Sequence, residues 1–348
     1  LKSETRPLEK IAQVKTRTVS VAPLHHTVVA RQLFGGLKCW LIANAISNGC
    51  CVGITAQGVD WTVLAKDLFR HPNIICGDFS NWDGSIRPYF ALECFARVAD
   101  WFYGEEDSTA RHNFLQDLIY NVTTAHSIEY ATAQGNPSGW ALTSEFNSVI
   151  HLILIHAWMH RAFADIPHMH RFAEWRRHVT IAVYGDDHII GVSDLLASRL
   201  NMYTLRDYVE PLGFGYTDVA AGKSGVWRPF VPRSDAVFLG RRFRRDPSGF
   251  WMGPTDASAV HEILQWQPRR ASDDDKRAVV SAALGEAWLQ GEDWYNSFAR
   301  DVRRVLDSTH LRVSVPTYHY YHDWWLRSVR GYCGNGTDIL FDSGLDQA

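Results

Sequence analysis

Apolar and polar positions change rhythm several times along the chain, and each change marks an element. Residues 73–78 (Asn-Ile-Ile-Cys-Gly-Asp) run apolar into an acid and predict a short buried strand. Over residues 86–104, Phe90, Leu92, Phe95 and Val98 fall broadly on one side, as on a helix. The turn Asn136-Pro137-Ser138-Gly139 precedes a stretch from about Trp140 to Phe163 that reads as one long helix. Gly139, Thr143 and Asn147 are spaced by four and would share a face of it. Residues 179–184 and 188–192 are apolar runs of strand length around Gly185-Asp186-Asp187, which predicts a hairpin with acids at its tip. Residues 194–210 are helical in pattern, Ala236 to Phe243 suggests a further strand or hairpin, and helices follow near 256–266, 274–290 and 292–307. Strand, helix, helix, hairpin, helix is an α+β order with mainly antiparallel pairing.

Composition adds bounds to this picture. Of 348 residues, 46% are hydrophobic, enough for a sizeable core in one large domain or two to three packed subdomains. The most apolar run, Val149 to Trp158, is interrupted by His151 and His156, so no transmembrane segment is expected. The six cysteines, Cys39, Cys50, Cys51, Cys76, Cys94 and Cys333, lack the paired spacing of a zinc site and read as reduced thiols. Leu1 opens the chain without a signal peptide, as expected of a piece cut from a longer chain. The net charge of −3 does not mark a general nucleic-acid binder, but the basic residues cluster. Lys2, Arg6, Lys10, Lys15 and Arg17 form one group; Arg228, Arg233, Arg241, Arg242, Arg244 and Arg245 form another. Local fields rather than the sum govern phosphate binding, although either cluster alone reads as a solvated face.

The chemistry is carried by acids. Asp78 ends the first strand, and Asp186 and Asp187 sit on the hairpin, so the three can converge at one sheet edge. Hard oxygen ligands suit Mg²⁺ or Mn²⁺ rather than zinc. Two such ions, about 3.5–4 Å apart, would activate an attacking oxygen and stabilise a leaving one, as nucleotidyl transfer requires. Asp-Asp in a turn is common for conformational reasons, so Gly-Asp-Asp alone carries little weight. Its company matters. Asp83 follows Asp78 by five positions, suited to a ribose hydroxyl, and Thr143 and Asn147 place a hydroxyl and an amide on one helix face.

Together, Asp78-Phe79-Ser80-Asn81-Trp82-Asp83, then Ser138-Gly139 with Thr143 and Asn147, then Tyr184-Gly185-Asp186-Asp187, resemble the palm motifs of RNA-dependent RNA polymerases of positive-strand RNA viruses in the picorna-like group. The motifs stand in the family's order. Lys2-Ser3-Glu4-Thr5-Arg6, Lys10 and Lys15-Thr16-Arg17 resemble its basic fingers strand, with Ser3 where many relatives have Asp. Phe238-Leu239-Gly240-Arg241-Arg242-Phe243 resembles its primer-grip hairpin, with Gly240 in place of a common lysine. The first motif is nearer the insect-infecting and marine branches than the enteroviruses. The resemblance covers roughly residues 1–245, and the remainder matches only as a helical thumb-like region.

The resemblance implies a right-hand polymerase with an antiparallel-sheet palm of RRM-like core, partial fingers and a helical thumb. Residues 1–70 would belong to the fingers, 71–106 to the palm, 107–134 to a fingers insertion, 135–254 to the palm and 255–348 to the thumb. It implies two Mg²⁺ or Mn²⁺ ions on Asp78 and Asp186, with Asp187 supporting; triphosphate contacts from Arg6, Lys10, Lys15 and Arg17; and ribose sensing by Asp83, Ser138, Thr143 and Asn147. Gly139, Tyr184, Leu239 and Arg241 would meet template or primer. Lys223, six residues after Thr217, would act as general acid toward the leaving pyrophosphate. The implied partners are RNA template and primer, ribonucleoside triphosphates, a genome-linked protein primer and other viral replication proteins, in membrane-associated replication complexes of the host cytoplasm.

Two rivals remain at this stage. A reverse transcriptase shares the acid hairpin but usually places a bulky aromatic near the ribose, where this chain has Asp83. A catalytically inactive RNA-binding palm module need not keep all three acids. The cluster His151, His156, His160, His168, His170 and His178 includes metalloprotease spacing at His156 and His160, but without its glutamate, so core or surface histidines are expected. Asn121-Val122-Thr123 and Asn335-Gly336-Thr337 match the glycosylation pattern without a secretory context.

Overall fold

A computed structural model describes residues 11–12, 19–125, 127–218, 227–266 and 270–333. The chain divides into two compact units, residues 1–53 with 70–232, and residues 54–69 with 233–348. Residues 54–69 and 233–254 thus group with the helical C-terminal part.

The first unit opens with α1 (Leu24–Ala43), which buries Ala30, Phe34, Leu37 and Leu41, a stripe at helical spacing. Two strands follow, β1 (Asn73–Ile75) and β2 (Gly77–Ser80). The single strand expected over 73–78 is therefore two, broken at Cys76, and Asp78 lies within the second rather than at a strand end. The next helix starts later than expected. A π-helical turn over Phe90–Phe95 leads into α3 (Ala96–Tyr103), then α4 (Ser108–Ile119). Arg111, 3% exposed, ties α4 back to Asp100 through two hydrogen bonds to one carboxylate oxygen. A hairpin of β3 (Val122–Ala125) and β4 (Ile128–Ala131) follows.

The long helix α5 spans Thr143–Ala162, so Gly139 precedes it and does not share a helix face with Thr143 and Asn147. Gly139 instead forms a parallel bridge with Val21, and a Cβ on it would collide with the Ser20 carbonyl. β5 (Val179–Tyr184) and β6 (Asp187–Val192) form the expected hairpin, in the sheet order β1-β6-β5, all antiparallel. Both strands are buried almost throughout, which explains their nearly unbroken apolar runs. The 194–210 helix is interrupted: a 3₁₀ turn over Asp194–Leu196 precedes α6 (Met202–Val209), which starts at an Asn201–Thr204 capping box. β7 (Gly215–Asp218) then pairs with β2.

In the second unit α2 (Val59–Phe69) packs against the small β8–β9 hairpin, Arg244–Arg245 with Trp251–Met252. Helices α7 (Ala257–Ile263), α8 (Asp273–Ala287), α9 (Glu292–Asp307) and α10 (Tyr318–Cys333) complete it. Phe250, Met252, Leu284, Trp288, Tyr295 and Trp325 belong to its core. Ser272 caps α8 with Asp275, and three acids in the first turn meet the positive end of the helix dipole. Among the described residues no helix is long and apolar enough to cross a membrane.

Candidate active site

The site is built in the first unit from β2, the β5–β6 turn and the start of α5. Tyr184 pairs with Asp187, so the hairpin loop is Gly185-Asp186 alone. Gly185 has φ +63°, the conformation that a two-residue hairpin asks of glycine at its first loop position. Asp186 therefore sits in the turn and Asp187 is the first residue of β6. Asp78, second residue of β2, pairs with Thr217, whose hydroxyl donates to the Asp78 carbonyl at 3.2 Å. Asp78 and Asp186 are brought together. Burial first, then the like charge of Asp186, hold the Asp78 carboxyl above the usual carboxylate range.

Like charges so placed call for a cation. Among the described residues no group of three or more His, Cys, Asp or Glu is arranged as a metal cage. A Mg²⁺-like ion needs no such cage, since it is commonly held by one or two carboxylates together with water and substrate phosphates. The donor set of Asp78 and Asp186 fits that chemistry.

Beside the acids, Asn147 donates through Nδ2 to Asp83 Oδ1 at 2.7 Å, joining two residues expected to sense ribose. Thr143, first residue of α5, directs its hydroxyl to the carbonyls of Pro137 and Trp140. Ser138 and Gly139 lie in the turn before the helix. Tyr184 is partly buried, and burial followed by the charge of Glu145 raises its phenol. Glu145, itself buried, is paired with Lys38 of α1 at 2.9 Å.

The support beneath the hairpin was not legible from the motifs. The Gly185 N–H donates to Ser148 Oγ at 2.8 Å. His151 Nδ1 lies 3.0 Å from the Gly185 carbonyl, which can only accept, so Nδ1 carries the proton. Burial pushes the His151 imidazole down to about 4, keeping it neutral. His188, next after the acid pair, lies 2.9 Å from the Tyr216 hydroxyl through Nε2. Burial, then neighbouring His151, holds His188 well below its ordinary value. Tyr216 crosses above Gly77, where a Cβ would overlap its ring. One signal for this layer did exist: His151 continues the four-residue spacing of Thr143 and Asn147.

Four other histidines of the cluster have aromatic or hydroxyl neighbours. His156 packs on Trp175, His160 on His170, and His178 Nδ1 lies 3.1 Å from Ser193 Oγ.

In the second unit, Phe238 and Arg241 bridge around Leu239-Gly240, both at positive φ. A leucine in the left-handed region costs about 1–2 kcal/mol. Arg241 is engaged within that unit, bidentate to Glu286 at 2.8 and 2.9 Å and donating to the Gly253 carbonyl. Arg6, Lys10, Lys15, Arg17 and Lys223 lie outside the described residues.

Comparison with known proteins places this geometry. The chain is 31% identical over 275 residues to the replicase polyprotein of acute bee paralysis virus, covering 76% of this chain and 14% of that polyprotein. It is 29% identical over 310 residues to the replicase polyprotein of cricket paralysis virus, covering 85% of this chain and 17% of the relative. The genome polyprotein of rice tungro spherical virus is 26% identical over 343 residues, or 95% of this chain and 10% of its own length. The chain thus spans less than a fifth of these relatives. A solved Sicinivirus 3Dpol RNA-dependent RNA polymerase superposes with a TM-score of 0.77 at 20% identity, over 95% of this chain and 67% of its own, and so shares the right-hand fold. The family described as viral RNA-dependent RNA polymerase matches residues 1–307, and this chain belongs to that family, within its picorna-like group.

Proposed function

We propose that this chain synthesises RNA on an RNA template from ribonucleoside triphosphates, as the catalytic part of a viral replicase polyprotein. The observation that carries this reading is the approach of Asp78 to Asp186 beside the Asp83–Asn147 pair. Asp78 and Asp186 would hold two divalent cations, with Asp187 supporting. Such cations, when bound, activate the primer 3′ hydroxyl and neutralise charge developing on the triphosphate. Asp83 and Asn147, with Ser138 and Thr143 near them, would engage the ribose 2′ hydroxyl, the group that separates RNA from DNA substrates. Arg6, Lys10, Lys15 and Arg17 would bind triphosphate oxygens, arginine with a planar fork suited to them. Gly139, Tyr184, Leu239 and Arg241 would meet template or primer; the Arg241–Glu286 pair means that Arg241 would do so with its charge already shared. The polyprotein relatives support its being one part of a larger viral replicase, and its place of work would be a replication assembly in the host cytoplasm.

Primer extension on a homopolymer template with Mg²⁺ tests the reading. Asp186→Asn should abolish incorporation while circular dichroism and the unfolding midpoint stay near wild type. Near-normal incorporation by this variant would overturn it.

A further inference from the structure

Asn136 and Trp140 have no role in the reading above, yet each is only 5% exposed and both join a chain of hydrogen bonds ending on Asp83. Trp140 Nε1 donates to Asn136 Oδ1 at 2.7 Å. Asn136 Nδ2 donates to Asn147 Oδ1 at 2.8 Å. Asn147 Nδ2 donates to Asp83 Oδ1 at 2.7 Å.

The direction of this chain is set by its ends. An indole N–H can only donate and an ionised carboxylate can only accept. Each amide between them has one orientation that satisfies both neighbours, and flipping either sets donor against donor or acceptor against acceptor. Asn147 is 6% exposed, so water cannot readily repair a mismatch there.

The anchor is rigid at both levels. Asn136 N–H donates to the Asp83 carbonyl and Gly135 N–H to the Ile86 carbonyl, each at 2.8 Å. Gln134 Nε2 donates to the Gly84 carbonyl at 3.2 Å, so residues 134–136 are fastened to 83–86. The Trp140 ring packs against Phe114 and Phe146, with centroids 6.0 and 5.6 Å away.

We infer that Asn136, oriented by Trp140, is a positioning residue that fixes the Asn147 amide and thereby sets selectivity for ribose over deoxyribose. This rests on the reading that Asp83 and Asn147 engage the 2′ hydroxyl. With the amide fixed, its NH₂ group holds the Asp83 carboxylate in place before a nucleotide arrives. With the amide turned, its oxygen faces that carboxylate and the pair separates.

Asn136→Asp is nearly isosteric. It still accepts from Trp140 but offers Asn147 an acceptor in place of a donor, so Asn147 must turn. Single-nucleotide incorporation by the purified polymerase would give kcat/KM for matched ribo- and deoxyribonucleotides in wild type, Asn136→Asp, Asn147→Ala and the double variant. The ribo-to-deoxyribo ratio should fall roughly tenfold or more in Asn136→Asp, the scale of one hydrogen bond to a charged group. The fall should come mainly through the ribonucleotide KM, and Asn136→Asp should add nothing in the Asn147→Ala background. Trp140→Phe keeps the ring and removes the N–H; its smaller fall should vanish in the same background. An unchanged ratio in Asn136→Asp and Trp140→Phe, with a lowered ratio in Asn147→Ala, would overturn the positioning role and leave the ribose reading standing. An unchanged ratio in Asn147→Ala would overturn both. Equal losses for the two nucleotides at a constant ratio would show loop support alone and overturn the inference. Should Asn136→Asp fail to fold, Trp140→Phe carries the same comparisons.

Discussion

His151 should make the first unit sensitive to acid. Its imidazole is fully buried, faces Phe79, Trp82 and His188, and donates to the Gly185 carbonyl. Burial lowers its value from 6.5 to about 4. A base whose value is depressed on folding contributes stability that is complete above its unfolded value and is lost as pH falls toward the folded one. The window is therefore pH 6.5 down to 4. One pH unit of difference corresponds to about 1.4 kcal/mol, so the loss reaches about 2 kcal/mol by pH 5 and about 3 kcal/mol at the bottom of the window. His151→Gln keeps an N–H donor for Gly185 and removes the titration. At pH 7.5 the variant should be less stable by about 1 kcal/mol through imperfect packing. Between pH 7.5 and 5 the difference between the two proteins should move by about 2 kcal/mol in the variant's favour. Asp78, Asp186 and Asp187 are common to both proteins, so their contribution largely cancels in the difference. His188 remains in the variant, and its own downward shift accounts for the acid sensitivity left there. Urea unfolding in chelator-containing buffer, with amide exchange in β5 and β6 reporting the first unit, measures this, since two units need not unfold together. Parallel stability–pH curves for the two proteins would refute the reasoning.

Ser148→Ala should cost about 1–3 kcal/mol, because it strips the buried Gly185 N–H of its acceptor; a midpoint within error of wild type would contradict this. Asp83→Ala or Asn147→Ala should lower the ribo-to-deoxyribonucleotide efficiency ratio, and an unchanged ratio in both would reject the ribose role. Lys223→Leu should slow the chemical step on the scale of about 10²–10⁴-fold that general acids provide, with nucleotide affinity nearly unchanged, and Lys223→His should retain part of the rate. Pre-steady-state incorporation at wild-type speed by the leucine variant would remove Lys223 from the chemistry.

The hairpin and the C-terminal helices were legible because their patterns are long or strongly periodic. Residues 179–184 match β5, and 292–307 match α9. The failures have physical causes. A two-strand run broken at Cys76 looks like one strand, since both halves are apolar and the break is a change of partner, from β6 to β7. The pattern places the start of α5 three residues early because Trp140-Ala141-Leu142 continues the apolar run while its backbone is still turning. The pattern does not mark α1, α2, α4, α10, β7 or the β3–β4 and β8–β9 hairpins. Of these, β4 is exposed along its whole length and has no buried face to give it a period. In the site, the acids and Asn147 could be picked out because their chemistry is unusual at those spacings. Ser148, Asn136 and Trp140 could not, because their role depends on partners 4 to 37 positions away whose approach only the fold creates.

Helix α5 is the element that relates the two acid-bearing segments. Asn147 reaches the segment after β2 through Asp83, while Ser148 and His151 reach the β5–β6 turn through the N–H and the carbonyl of Gly185. Residues 147–151, little more than one turn of α5, thus hold both, and a shift of the helix would move the acids relative to each other. These supports are neutral: an amide, a hydroxyl and an imidazole kept uncharged by burial. That choice has an electrostatic consequence. A lysine or arginine in place of His151 could donate to the Gly185 carbonyl but would satisfy the acids with a fixed positive charge. Neutral groups hold the turn and Asp83 and leave in place the mutual repulsion of Asp78 and Asp186, which a cation would relieve. The two supports are also separable. Ser148 touches the hairpin peptide and Asn147 touches Asp83, so Ser148→Ala should lower incorporation of ribo- and deoxyribonucleotides alike, while Asn147→Ala should act on the ratio between them. Selectivity lost in Ser148→Ala to the same extent as in Asn147→Ala would mean that the helix acts as one rigid lever rather than as two independent contacts.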